Sequence, residues 1–171
     1  MRPPDPGDDV VLTEHDLTWP LLFDQMRGRI VDVLGSRAVE VHHAGSTSVP
    51  RLAAKPVIDI VLVVADPARE PDYEPLLATA GFELHAREPE WWEHRIFKSS
   101  SPRVNLHVFG PDCPEVTRML AFRDHLRRDE ADRTLYERTK RELAARNWDR
   151  VQDYADAKTD VVAAIMSRAM S

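Results

Sequence analysis

Cysteine is almost absent from this chain. Cys113 stands alone among 171 residues, which excludes an internal disulfide and any zinc site built on a cysteine pair. Having no disulfide fits a reducing compartment, and the expected location is the cytoplasm. Long apolar runs are missing too: no window approaches the length of about 18 residues that a membrane-spanning helix needs. Met1 to Asp9 is rich in proline and aspartate and has no apolar centre, so it reads as a frayed tail rather than a signal or transit peptide. There is also no excess of positive charge. With 23 Lys and Arg against 29 Asp and Glu, the net charge of −6 argues against broad coating of nucleic acid, whose affinity comes from phosphate neutralisation. A local basic cleft is still open. Internal repeats are lacking, and the seven histidines form no recognisable zinc spacing.

What is present fits one globular domain, residues 10–171, with 43% hydrophobic and 30% charged residues. Asp16 or Thr18 can cap a helix that begins near Trp19, with Pro20 in its first turn, a stripe of Leu22, Met26, Ile30 and Val33, and Gly35 at its end. Ala38 to His43 alternates as a strand, and Pro56 to Val64 reads as a buried one. A short helix at Tyr73 to Ala80 stops at Gly81 and leads to a strand at Phe82 to Ala86. His94 to Lys98 and Val104 to Phe109 form a predicted hairpin through Ser99 to Pro102. Trp91 and Trp92 lie just before it, as strand neighbours with one ring in the core. Pro114 to Arg128, Ala131 to Ala145 and Val151 to Ala169 read as three amphipathic helices. The fold class is α+β: a mixed sheet with one early helix and a three-helix C-terminal layer.

Chemistry concentrates in His43 to Ile60, HAGSTSVPRLAAKPVIDI. A Gly45-Ser46 turn after a strand lets backbone N–H groups face phosphate oxygens, and Thr47 and Ser48 add hydroxyls at the same turn. Twelve residues separate Ser46 from Asp59, which sits inside an apolar strand. An ionised carboxylate there needs a cation beside it, and a divalent metal is one such cation.

A hydrophobic residue, Gly-Ser, this spacer and then Asp in a strand resemble the signature of the polymerase-beta-type nucleotidyltransferase fold. The segment HHAGSTSVPRLAAKPVIDI, NLHVF at Asn105 to Phe109, AFRDHLR at Ala121 to Arg127 and the spacing from Tyr136 to Lys140 resemble the GrpB-like family over about Val11 to Ala164. Members of that family also occur fused to dephospho-coenzyme A kinases. The resemblance implies a sheet of nucleotidyltransferase type, a nucleoside triphosphate with Mg²⁺ or Mn²⁺ as cofactors, and a small-molecule or protein acceptor. Asp59 would be the metal ligand and, with His107, the catalytic pair. Gly45, Ser46, Thr47, Ser48, Lys55, Arg123 and Lys140 would hold the phosphates. The pattern also departs from the fold's usual acids: Val61 occupies the position of a second carboxylate, and the later strand offers His107 in place of a third. The alternative is a non-catalytic binding or folding-accessory domain that has lost those acids.

Other candidates are less determined by sequence. Lys98 and Arg95 are further cations expected to line the cleft, and Glu40, Glu90 and Glu93 are possible additional oxygen ligands. His107 reads equally as a base or ligand and as a core histidine donating to a backbone carbonyl. His43 is expected to pin the glycine turn through a hydrogen bond. Arg51 stands where relatives carry glycine, which counts against a positive φ.

Overall fold

The computed structural model of the protein describes residues 11–146 and 151–171, so the tail expected at Met1 to Asp9 lies outside the described residues. Helix α1 (Trp19–Leu34) begins where predicted. Asp16 Oδ1 accepts from the Thr18 amide at 2.8 Å and the Thr18 hydroxyl at 2.7 Å, and Pro20 fills the first turn. Gly35 ends the helix at φ 55°, its N–H donating to the Val31 carbonyl.

Five strands follow in the sheet order β1 (Glu40–Ala44), β2 (Ile58–Val63), β5 (Arg103–Phe109), β4 (His94–Ser100), β3 (Glu83–Glu88). β1 runs antiparallel to β2, β2 parallel to β5, and β5–β4–β3 form an antiparallel meander, which bears out the predicted hairpin. Helix α2 (Glu74–Thr79) lies on the connection that the parallel β2–β5 pair requires.

The period of two divides β2 between two environments. Ile58, Ile60 and Leu62 face α1 and α2, where Met26, Ile30, Leu34, Leu77 and Phe97 are buried; each fully buried side chain of this kind contributes about 2 kcal/mol. Asp59, Val61 and Val63 point the other way, toward helix α3 (Pro114–Arg128), which covers Val61, Val63 and Phe109 with Val116, Met119 and Leu120. Asp59 lies beyond the part of this face that α3 closes. In register, Ala44 pairs with Asp59 on one side and Asn105 on the other, while His107 stands opposite Val61.

Two predicted elements need correction. The segment expected as one helix from Val151 to Ala169 is two, α5 (Val151–Ala157) and α6 (Thr159–Ala169), so with α3 and α4 (Glu130–Ala144) the C-terminal layer has four helices among the described residues rather than three. The break at Lys158 turns that side chain back over Tyr154, its Nζ 4.6 Å from the ring centroid. Trp91 and Trp92 are not strand neighbours. They occupy a turn between β3 and β4 in which Trp92 and Glu93 both have positive φ, and neither ring is buried, at 40% and 50% exposure.

Candidate functional site

β1 delivers the chain into the turn at Gly45, and the turn is shaped by close approach. Gly45 has φ 69°, and a Cβ there would lie 2.5 Å from Asp59 Oδ2. Only glycine lets the turn and the strand carboxylate share this space. Ser46–Ser48 then forms a single 3₁₀ turn, not the start of a longer helix, so the attraction for an anion falls on side chains. Ser48 Oγ donates to the Gly45 carbonyl and closes the turn. His43 does what its sequence position suggested: its Nε2 meets Thr47 Oγ1 at 3.0 Å, its ring stacks on Phe23, and burial pushes its pKa down to about 4. Arg51 takes φ 68° despite its side chain, a correction to the expectation drawn from glycine in relatives.

The helices brace the chain on both sides of the turn. Arg127 donates from Nε and Nη2 to the Ser48 carbonyl at 3.0 and 2.8 Å, and Arg123 Nη1 to the His43 carbonyl at 3.0 Å. Glu137 Oε1 accepts from the Ala53 amide at 2.7 Å. Lys140 is 3% exposed; its Nζ donates to the Ala53 carbonyl at 2.7 Å and Ser46 Oγ at 3.1 Å, and stands 4.9 Å from the Tyr136 ring centroid. Burial, with Lys158 nearby, pushes Lys140 down to about 7.

A cleft of about 280 Å³ opens at this point. Gly45, Ser46, Thr47, Asp59 and Asn105 form its floor, and Lys55, Lys98, Arg103, Lys140 and Lys158 supply five cationic side chains around it. A second pocket of about 380 Å³, beside Ser99, Ser100 and Gly81, shares Lys98, Arg103 and Asn105 with it. Burial lowers the pKa of Lys158, while Asp59 opposes that shift.

Gly45, Ser46, Thr47, Lys55, Asp59 and Lys140 thus come together. Ser48, buried behind the turn, and Arg123, bonded to the backbone, brace the cleft without lining it. Two expectations fail. Arg95 pairs in register with Val108 on the opposite sheet face, where Nε meets Glu70 Oε1 at 2.8 Å. Glu40, Glu90 and Glu93 do not line the cleft; Glu93 Oε2 accepts from Arg95 at 3.1 Å. The sequence reading missed Arg103 and Lys158. Arg103 follows the expected hairpin turn, and Lys158 was read as the middle of a continuous helix.

His107 does not donate to a backbone carbonyl. Its Nε2 lies 3.4 Å from Asp59 Oδ1 and its Nδ1 3.0 Å from His94 Nε2, and His94 Nδ1 lies 3.2 Å from Glu88 Oε1. His94 is 3% exposed, beneath the edge of Trp91, and burial with His107 beside it pushes it down to about 4. Burial raises the pKa of Glu115, in the first turn of α3, against the opposing influence of Arg118 and His107. A different trio, His125, Asp129 and Asp132, is the group of three potential metal ligands that converges among the described residues. Asp132 already accepts from Arg168 at 2.6 and 2.8 Å and pairs with His125 Nε2 at 2.6 Å, which makes it an ion-pair knot between α3, α4 and α6.

Fold and site define a class: an α+β protein whose five-stranded mixed sheet and C-terminal helices hold a cationic cleft around one strand carboxylate. A family model described as GrpB protein matches residues 9–168, and the chain belongs to the GrpB family. A UPF0157 protein of Halalkalibacterium halodurans is 52% identical over 160 residues, covering 94% of this chain and 82% of that one. The crystal structure of conserved protein GrpB from Enterococcus faecalis superposes with a TM-score of 0.83 at 28% identity, covering 93% of this chain and 96% of that chain. A dephospho-CoA kinase of Mycolicibacterium paratuberculosis is 31% identical over 163 residues, 80% of this chain and 40% of the kinase. A GrpB-like stretch therefore occurs within a kinase chain. None of the described helices is long and apolar enough to cross a membrane.

Proposed function

We propose that the cleft binds a nucleoside triphosphate together with one divalent cation, Mg²⁺ or Mn²⁺, at Asp59, and passes a nucleotidyl group to a small-molecule or protein acceptor. The observation that carries this reading is the convergence of five cationic side chains and one carboxylate on the Gly45 turn. A triphosphate needs several positive partners, and a hard cation needs an oxygen ligand open to water and phosphate.

The donor set fits one ion. Asp59 is 30% exposed at its side chain and stands beside the turn. It does not fit two, because Val61 and His107 stand where further acids would be needed, and Val61 is fully buried. Bound at Asp59, a divalent ion would neutralise and polarise phosphate oxygens. The remaining charge falls to Lys55, Lys98, Arg103, Lys140 and Lys158, which take the part a second ion plays elsewhere. In transfer, the acceptor oxygen bonds to the α-phosphorus as the bond to the β-phosphate oxygen breaks, and pyrophosphate leaves with the electron pair. The acceptor's proton passes to a base or to water, and His107 beside Asp59 is placed either for that role or as a second ligand.

A second reading, a binding domain without transfer, is favoured by the apolar Val61. Calorimetry with ATP, CTP and GTP, with and without Mg²⁺ or Mn²⁺, separates the two from a domain that binds no nucleotide. The expected result is metal-dependent heat that Asp59→Ala abolishes. Unchanged binding in that variant would remove Asp59 from the site, and transfer of label from an α-phosphate-labelled nucleotide would distinguish catalysis from binding.

A further inference from the structure

The row Glu88, His94, His107 and Asp59 contains three polar contacts, at 3.2, 3.0 and 3.4 Å from the Glu88 end. Each contact needs one proton. Both ends are carboxylates, which only accept when ionised, and two neutral imidazoles carry one N–H each. With all four groups in their ordinary states the row is one proton short. One contact must therefore bring two acceptors face to face.

The distances indicate which. The two contacts of His94 are of hydrogen-bond length, and the contact of His107 to Asp59 is the longest. Glu88 accepts from His94 Nδ1–H, His94 Nε2 accepts from His107 Nδ1–H, and His107 Nε2 is left with its lone pair toward Asp59 Oδ1. His94 is buried, with its ring packed against Phe109 and Trp91, so its two nitrogens are fixed toward Glu88 and His107. A cation between His107 and Asp59 satisfies both acceptors. Two ligands each about 2.1 Å from an ion are about 3.0 Å apart at a right angle and about 3.4 Å apart at a tetrahedral one, so the observed separation suits a shared ion.

We propose that Glu88 and His94 are positioning residues that hold His107 in its Nδ1–H tautomer, so that His107 Nε2 and Asp59 Oδ1 together take a cation of the Mn²⁺ or Zn²⁺ class in preference to Mg²⁺. Imidazole nitrogen suits these borderline ions, whereas Mg²⁺ favours oxygen throughout. A ligating histidine whose other N–H is fixed by a carboxylate, here relayed through a second imidazole, is the usual arrangement around such ions. His107 then acts as a ligand, and the acceptor's proton goes to water at the open cleft. This deepens the reading above and rests on its cation at Asp59.

The test uses the full chain and metal alone. Imidazole ¹⁵N spectra of the metal-free protein are expected to show His107 protonated at Nδ1. Zn²⁺ should then shift its Nε2 resonance, and substoichiometric Mn²⁺ should broaden it, while Mg²⁺ at the same concentration has no effect. Glu88→Gln, whose amide can donate and so reverse the row, should need about 10-fold more ion, within the range for such outer partners, with its thermal unfolding unchanged. His107→Gln should lose the preference for Mn²⁺ over Mg²⁺. An Nε2–H tautomer at His107, or equal responses to Mn²⁺ and Mg²⁺, would overturn the proposal. If the nucleotide titrations succeed and these spectra stay flat, this inference falls alone. If the spectra respond and no nucleotide binds, the nucleotide reading falls alone.

Discussion

Gly45 and Asp59 are the pair on which the cleft is built, and they can be tested separately from any ligand. Gly45→Ala adds a methyl 2.5 Å from the carboxylate and forces a non-glycine residue to φ 69°. The expected cost is about 2 kcal/mol in urea unfolding, with loss of triphosphate binding because Asp59 must move. An unchanged stability would mean the turn relaxes freely. Lys140 gives a prediction in pH. Its pKa is lowered to about 7, so it is charged below that value and neutral above it, and an anion binds best to the charged form. Triphosphate affinity should fall about 10-fold between pH 6.5 and 8.5 relative to Lys140→Arg, since arginine stays charged and the nucleotide's own titration is common to both proteins. Parallel pH profiles would exclude Lys140 from the contact.

At this scale sequence shows residue type but not direction. Asp59 was legible because a carboxylate in an apolar strand is costly without a purpose. Arg95 was not: it and Lys98 lie on one strand three residues apart, which places them on opposite faces, and only the register against β5 shows which face carries the cleft. His94 and Glu88 gave no spacing signal, because their meeting with His107 depends on β4 pairing with both neighbours.

Among the elements, the C-terminal helices act as a brace as well as a cover. α3 and α4 hold the 45–55 loop through Arg127, Glu137 and Lys140 and the end of β1 through Arg123, and α6 is fastened to both by Arg168 and His125 on Asp132. Arg168 is the main cause of the lowered Asp132 pKa, which falls to about 2. Asp132→Ala leaves the partially buried His125 and the Arg168 guanidinium without that acceptor, and a loss of about 2–3 kcal/mol is expected in urea unfolding. A loss below about 0.5 kcal/mol would make the knot an ornament of the surface. The helices themselves were readable from their apolar stripes, and Pro114 to Arg128 begins and ends as predicted. The break at Lys158 was not, because neither glycine nor proline marks it. The tryptophan turn was missed for a related reason: Trp92 and Glu93 adopt positive φ without the residue types that announce it.

The whole molecule is acidic, at −6, yet its cleft is basic. That separation confines anion attraction to one place and explains why the overall balance argues against nucleic acid without excluding a phosphorylated ligand. The mixed sheet, its β4–β5 hairpin and the membership of the GrpB family were within reach of the sequence, since they follow from patterns that run through most of the chain, whereas the parallel pairing of β2 with β5 was not. The cationic character of the cleft was only half visible, because Arg103 and Lys158 approach it from the β4–β5 hairpin and from a helix break more than fifty residues apart. The most direct measurement is a crystal structure grown with a non-hydrolysable ATP analogue and Mn²⁺. The expected map places the phosphates between Lys55, Lys98, Arg103, Lys140 and Lys158, with the ion against Asp59 Oδ1. Phosphates bound away from the Gly45 turn, or a cleft left empty at saturating analogue, would contradict it.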